Sequence, residues 1–94
     1  MINLQALSEK TIDFIWLDGT ELHVTQPSTR FVNKVDRAEN TIENCQKLAK
    51  EFLNDNREGR KFTDDEIAQL NSAQLTAILN SILGWAYEVD NDPN

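Results

Sequence analysis

Alternation of apolar and polar positions dominates the first quarter of the chain, and helical spacing dominates the rest. In Thr11-Ile12-Asp13-Phe14-Ile15-Trp16-Leu17, rich in β-branched and aromatic residues, Ile12, Phe14 and Trp16 fall on one face. Thr20 to Thr25 alternates again, with Leu22 and Val24 together on one side. Between them, Asp18-Gly19 predicts a type I′ turn, whose two central residues both need positive φ. The pattern therefore predicts a β-hairpin over about 11–25. A lone hairpin is marginal in water, so its apolar face must pack on the helices or join another sheet.

Gln26-Pro27-Ser28-Thr29 breaks the strand pattern, and Ser28 or Thr29 can cap a helix. Phe31, Val32, Val35 and Ala38 follow at helical spacing, then Ile42, Cys45, Leu48, Ala49, Phe52 and Leu53. Asn40-Thr41-Ile42-Glu43 between them fits a capping box. One kinked helix and two consecutive helices both satisfy the spacing, and the internal cap favours two. Asn54 to Lys61 reads as a polar loop with Gly59 at a positive-φ position. Thr63 with Glu66 forms the best-marked helix start, with Phe62 stapled onto Ile67. Asn71 and Ser72 supply another cap before a long apolar helix, and Gly84 within it predicts a close helix contact that offsets its poor helix propensity. The fold class expected is α+β, predominantly α, in a single domain of residues 1–94: an N-terminal β-hairpin followed by a bundle of about four helices. Their expected spans are about 28–39, 41–54, 63–70 and 72–89, ending in an acidic tail at 90–94 that is expected to fray from Glu88.

Charge narrows the partners. The formal net charge is −7, distributed as −3 over residues 1–29, +2 over 30–61 and −6 over 62–94. Such a balance repels phosphate backbones and anionic lipid, so neither nucleic acid nor membrane is an expected partner. The basic middle and acidic end allow head-to-tail self-association into a homo-oligomer, although solvated surface charge explains them as well. The N-terminus lacks a secretory pattern and no apolar run reaches ~20 residues, which predicts an intracellular protein.

Little supports catalysis. His23, the only histidine, is expected on the exposed face of the second strand, and no metal-ligand spacing or phosphate-binding loop accompanies it. Cys45, the single cysteine, sits at an apolar helical position and reads as a core thiol. Asp64, Asp65 and Glu66 are consecutive and suit the helix dipole better than a shared ion. Asn54 to Asp65 imitates a calcium-loop frame with Gly59 at its sixth position, but it begins with neutral Asn54 and ends with Asp65 where a bidentate Glu is wanted. No catalytic residue, cofactor or metal is expected. A protein-binding surface is expected on the last helix, formed by Leu79, Leu83, Trp85, Tyr87, Glu88 and Asp90. If Trp85 continues the stripe of Ile78 and Ile82 it is core; if it is exposed beside the acidic tail it is an anchor for a partner.

Gln26-Pro27-Ser28-Thr29 before a charged helix, the run Phe52-Leu53-Asn54-Asp55-Asn56-Arg57-Glu58-Gly59-Arg60-Lys61-Phe62-Thr63, then Glu66-Ile67 and a terminal helix with Leu79, Ile82, Leu83 and Trp85 together form a pattern. Over roughly residues 12–90 this pattern resembles the small tail assembly chaperones of long-tailed phages and prophages, especially those of low-GC Gram-positive hosts. The resemblance implies a non-catalytic protein that binds the helical tape-measure protein, keeps it soluble and helps tail-tube subunits polymerise around it. It also implies action in the bacterial cytoplasm and absence from the mature virion. A Leu/Ile-walled groove with an acidic rim would suit such a client. Two rivals belong to other classes. An acidic DNA mimic blocking a nucleic-acid-binding protein would need carboxylates regularly spaced on one face, whereas basic residues interrupt the middle of this chain. The other is a helical interaction module with no phage role.

Overall fold

The hairpin forms where alternation predicts it. In the computed structural model, which describes residues 1–91 and side chains through Gly84, β1 (Thr11–Ile15) pairs antiparallel with β2 (Glu21–Thr25). Ile12 faces Val24 and Phe14 faces Leu22, so one face is apolar throughout, while Asp13 faces His23 on the other. The connecting turn differs from expectation. Trp16 N–H donates to the Thr20 carbonyl (2.8 Å), and Gly19 N–H donates to the Trp16 carbonyl (2.9 Å). Only Gly19 has positive φ, at +86°. Asp18 keeps negative φ, so the loop is a three-residue connection closed by one left-handed glycine, not a type I′ turn. Asp18 then accepts from Thr20 N–H at 2.9 Å, which holds the chain on its return path.

Five helices accompany the hairpin among the described residues, and the first was not expected: α1 (Leu4–Ser8) precedes it, started by Asn3, which accepts from Ala6 N–H at 3.1 Å. α2 (Thr29–Arg37) starts at Ser28, and α3 (Ile42–Leu53) is a separate helix, because Ala38 is extended. The cap of α3 is Thr41, one residue later than the predicted Asn40. α4 (Asp64–Ala68) carries the expected capping box, with Thr63 and Glu66 bonded reciprocally at 3.2 and 3.1 Å. Phe62 and Ile67 on either side of it are both buried, as the staple requires. α5 (Ser72–Asn91) starts at a second reciprocal box, Asn71 with Gln74, both bonds 2.8 Å. Its helical span passes the predicted end at residue 89 and the expected fraying point at Glu88.

One core joins the hairpin's apolar face to the helices. Leu22, Val24, Leu53, Ile67 and Ile82 are its most completely buried large side chains. Phe52 of α3 is its aromatic centre, with Phe14 edge-on at 6.0 Å and Phe31 stacked at 6.5 Å. α5 packs across α2 and α3, and α4 packs on α3. Two core expectations fail. Ile42 is 62% exposed, because it lines an open groove between α3 and α5 instead of packing into the core. Gly84 makes no close approach: a β-carbon built there meets nothing within 4 Å among the described residues. No helix among the described residues is long and apolar enough to cross a membrane.

Candidate functional site

Two places concentrate residues with something to do, and they differ in chemistry. One is the polar joint between α3 and α4. Asn54 and Asn56 close the loop from within. Asn54 Oδ1 accepts from Phe62 N–H at 2.7 Å, and Asn56 Oδ1 accepts from Arg60 N–H at 2.9 Å. Asn56 Nδ2 also donates to the Leu53 and Arg60 carbonyls, both at 2.7 Å. Gly59 supplies the expected positive φ, at +72°. The loop lies along the outer edge of β2, where Thr25 N–H donates to the Asp55 carbonyl (2.8 Å) and Arg57 N–H to the His23 carbonyl (2.9 Å). Side chains finish the seam. Glu58 accepts from His23 N–H at 2.8 Å and pairs with His23 Nδ1 at 2.7 Å.

That pair accounts for two shifted titrations. The bonds from His23, its backbone N–H first, hold the Glu58 carboxyl below its usual range. The Glu58 carboxylate in turn raises the His23 imidazole. His23 thus occupies the predicted strand face but serves as a clasp. Asn54, Asn56 and Glu58 stand at the first, third and fifth positions of the calcium-like frame, and each has its side-chain oxygen committed to a donor of the protein itself. Arg60 ties the joint to the hairpin tip, bonding Asp18 at 3.1 Å and lying over the rings of Phe62 (4.7 Å) and Trp16 (5.8 Å). Bonds from Thr20, with Arg60 adding to them, lower the Asp18 carboxyl.

The other place is a groove of about 450 Å³ bounded by α2, α3 and α5. Val35 of α2 and Ala38 just after it line one side, with Ile42, Cys45 and Leu48 from α3 and Leu75, Leu79 and Leu83 from α5. Glu39 is the one ionisable carboxylate along it among the described residues; Asn40, Ser72, Thr76 and Asn80 make the remaining rim neutral and polar. The expected acidic rim is therefore absent from the described part of the groove.

Of the six side chains predicted for partner binding, Leu79 and Leu83 line this groove, half-buried. Trp85, Tyr87, Glu88 and Asp90 lie outside the residues whose side chains are described, as does the choice between core and exposed positions for Trp85. Asp92 to Asn94 of the acidic tail also lie outside the described residues. The α2 and α3 wall was not foreseen. Ile42 and Cys45 occur at apolar helical positions and read as core, yet the structure leaves Ile42 exposed and Cys45 half-buried at the groove. Apolar periodicity identifies the correct helix face there but does not say whether a neighbour covers it.

The groove can bind apolar surface. No cluster of three metal-capable side chains occurs among the described residues. Comparison with family models, curated proteins and solved structures finds no match to this chain.

Proposed function

We propose that the chain is a non-catalytic tail assembly chaperone of a long-tailed phage or prophage, and that its α2/α3/α5 groove receives amphipathic helices of the tape-measure protein. The observation that carries this reading is the open apolar groove, with Leu79 and Leu83 on one wall and exposed Ile42 on the opposite one. A long helical client presents apolar stripes that aggregate unless covered, and a groove between helices covers them by helix-in-groove recognition. Its mostly neutral described rim favours this reading over an acidic DNA mimic, whose binding face would be lined with carboxylates. Action in the host cytoplasm, release before the virion is complete and contact with tail-tube subunits belong to the same proposal.

The test is a pull-down of the tagged full chain from cells carrying its genetic neighbourhood, read by mass spectrometry. The expected catch is one very long, helix-rich protein that stays bound in high salt, because apolar contacts are not screened. Leu79→Asp should lose it. Recovery of a nuclease, polymerase or repressor, released by salt, would overturn the reading.

A further inference from the structure

The same chain that leaves a groove open also leaves an apolar segment uncovered. Ile2, Leu4 and Leu7 are 79%, 74% and 43% exposed, and no residue of α1 is buried. Asn3 is the cap, so Ile2 and Leu7 stand at the two positions of a hydrophobic staple, with Leu4 one helical turn from Leu7. The three side chains therefore gather on one side of a short helix. Residues 1–8 carry no ionisable side chain, which matches a groove lined, among the described residues, by a single carboxylate.

We propose that this segment is a ligand for the groove of a second copy, so that two chains exchange their N-terminal helices. Occupation within one chain is opposed by where α1 is attached. The Glu9 carbonyl is held by the Arg57 guanidinium, just past the C-terminal end of α3, whereas Ile42 and Cys45 of the groove lie near its N-terminal end. At 1.5 Å per residue, α3 spans about 18 Å and α1 only about 7.5 Å, so a folded α1 does not reach back along it.

Exchange between copies also has enough area. Each aliphatic side chain buried in such a contact removes roughly 100 Å² from water, and the groove contributes a similar amount, so a reciprocal pair covers about 1,200 Å² in total. That is the lower end of specific interfaces, and it implies a weak, concentration-dependent dimer. The other surface open to self-pairing, the free edge of β1, is guarded by exposed Asp13, whose charge opposes its own copy across a two-fold pairing. No foreign client enters this exchange, so it stands or falls separately from the chaperone reading although both use one groove.

Sedimentation velocity of the full chain over a concentration series tests it, with maleimide labelling of Cys45 as a reporter of the groove. The expected result is a monomer–dimer equilibrium in which dimerisation slows Cys45 labelling about tenfold, with both effects lost in Leu4→Asp. Leu79→Asp should lose them too. A mixture of the two variants should recover a weak pair, because one supplies an intact groove and the other an intact segment, and only Cys45 of the Leu4→Asp chain should be protected. A chain monomeric at every concentration, or a dimer that Leu4→Asp leaves intact, overturns the proposal. If Leu79→Asp fails to fold, Leu4→Asp at its exposed position decides alone.

Discussion

The joint between hairpin, loop and α4 is tied by polar bonds, whereas the boundary of α5 with α2 and α3 is, among the described residues, held by apolar packing alone. At the joint, Asn54, Asn56, Glu58 and Arg60 each bond across elements or across the loop. Among the described residues, no side-chain hydrogen bond or ion pair links α5 to α2 or α3, although Lys34 and Glu51 link α2 to α3 at 3.0 Å. Directional bonds fix one geometry, and unsatisfied partners make any departure from it expensive. Apolar contacts are non-directional and tolerate substitution of one apolar partner for another. The stitched side is thus suited to holding a shape, and the α5 side to accepting another chain.

The largest expected effect sits on the stitched side. Phe62→Ala removes a buried ring that packs at a tilt against Trp16, 4.4 Å between centroids, and one half of the staple, and should lower stability by about 3–5 kcal/mol in urea unfolding. A loss below about 1 kcal/mol would show that the joint is not a structural centre. Asn56→Ala deletes three hydrogen bonds in a part-buried loop and should cost about 1–3 kcal/mol by the same measurement. Gly84→Ala has the opposite sign. With no described residue within 4 Å of the added methyl group, it should raise stability by about 0.5–1 kcal/mol, and a loss would reveal a contact at that turn.

Ile42→Ser should leave stability within about 0.5 kcal/mol while weakening whatever occupies the groove. Equal loss of stability and binding would break the contrast between the two sides. The smallest effect is pH dependence at the clasp. His23 is raised above 6.5, so its contribution is complete below that value and fades as pH rises through the higher folded-state pKa. Glu58 is lowered beneath 4.5, so its contribution is complete above that value and fades as pH falls through the lower one. Stability should therefore be greatest between those values, and His23→Gln should flatten its decline on the alkaline side, read from unfolding midpoints across pH.

Sequence reading succeeds where the determinant is local. The Ser28, Thr63 and Asn71 caps and the alternation of β1 and β2 each lie within a few residues, and the structure realises them. It falls short where a choice depends on distant packing. The hairpin tip takes one left-handed residue because Trp16 and Thr20 continue the ladder, which the Asp-Gly pair does not disclose. A five-residue helix such as α1 is too short for periodicity to register. Ile42 and Gly84 show the same limit in the site: one reads as core and stands open, the other reads as a contact and meets nothing. Leu79 and Leu83 were legible because α5 is long, but the facing wall emerges only once α2 and α3 are placed beside it.

The seam that closes β2 also sets an order of events in time. Thr25 takes its outer partner from Asp55, and Val24 bridges to Asn56, some thirty residues later in the chain. At roughly 5–20 residues per second, a ribosome needs on the order of 2–6 seconds to make that interval. The nascent hairpin carries an open second edge throughout, so the moment most exposed to misassembly falls during synthesis, before the loop that seals it exists.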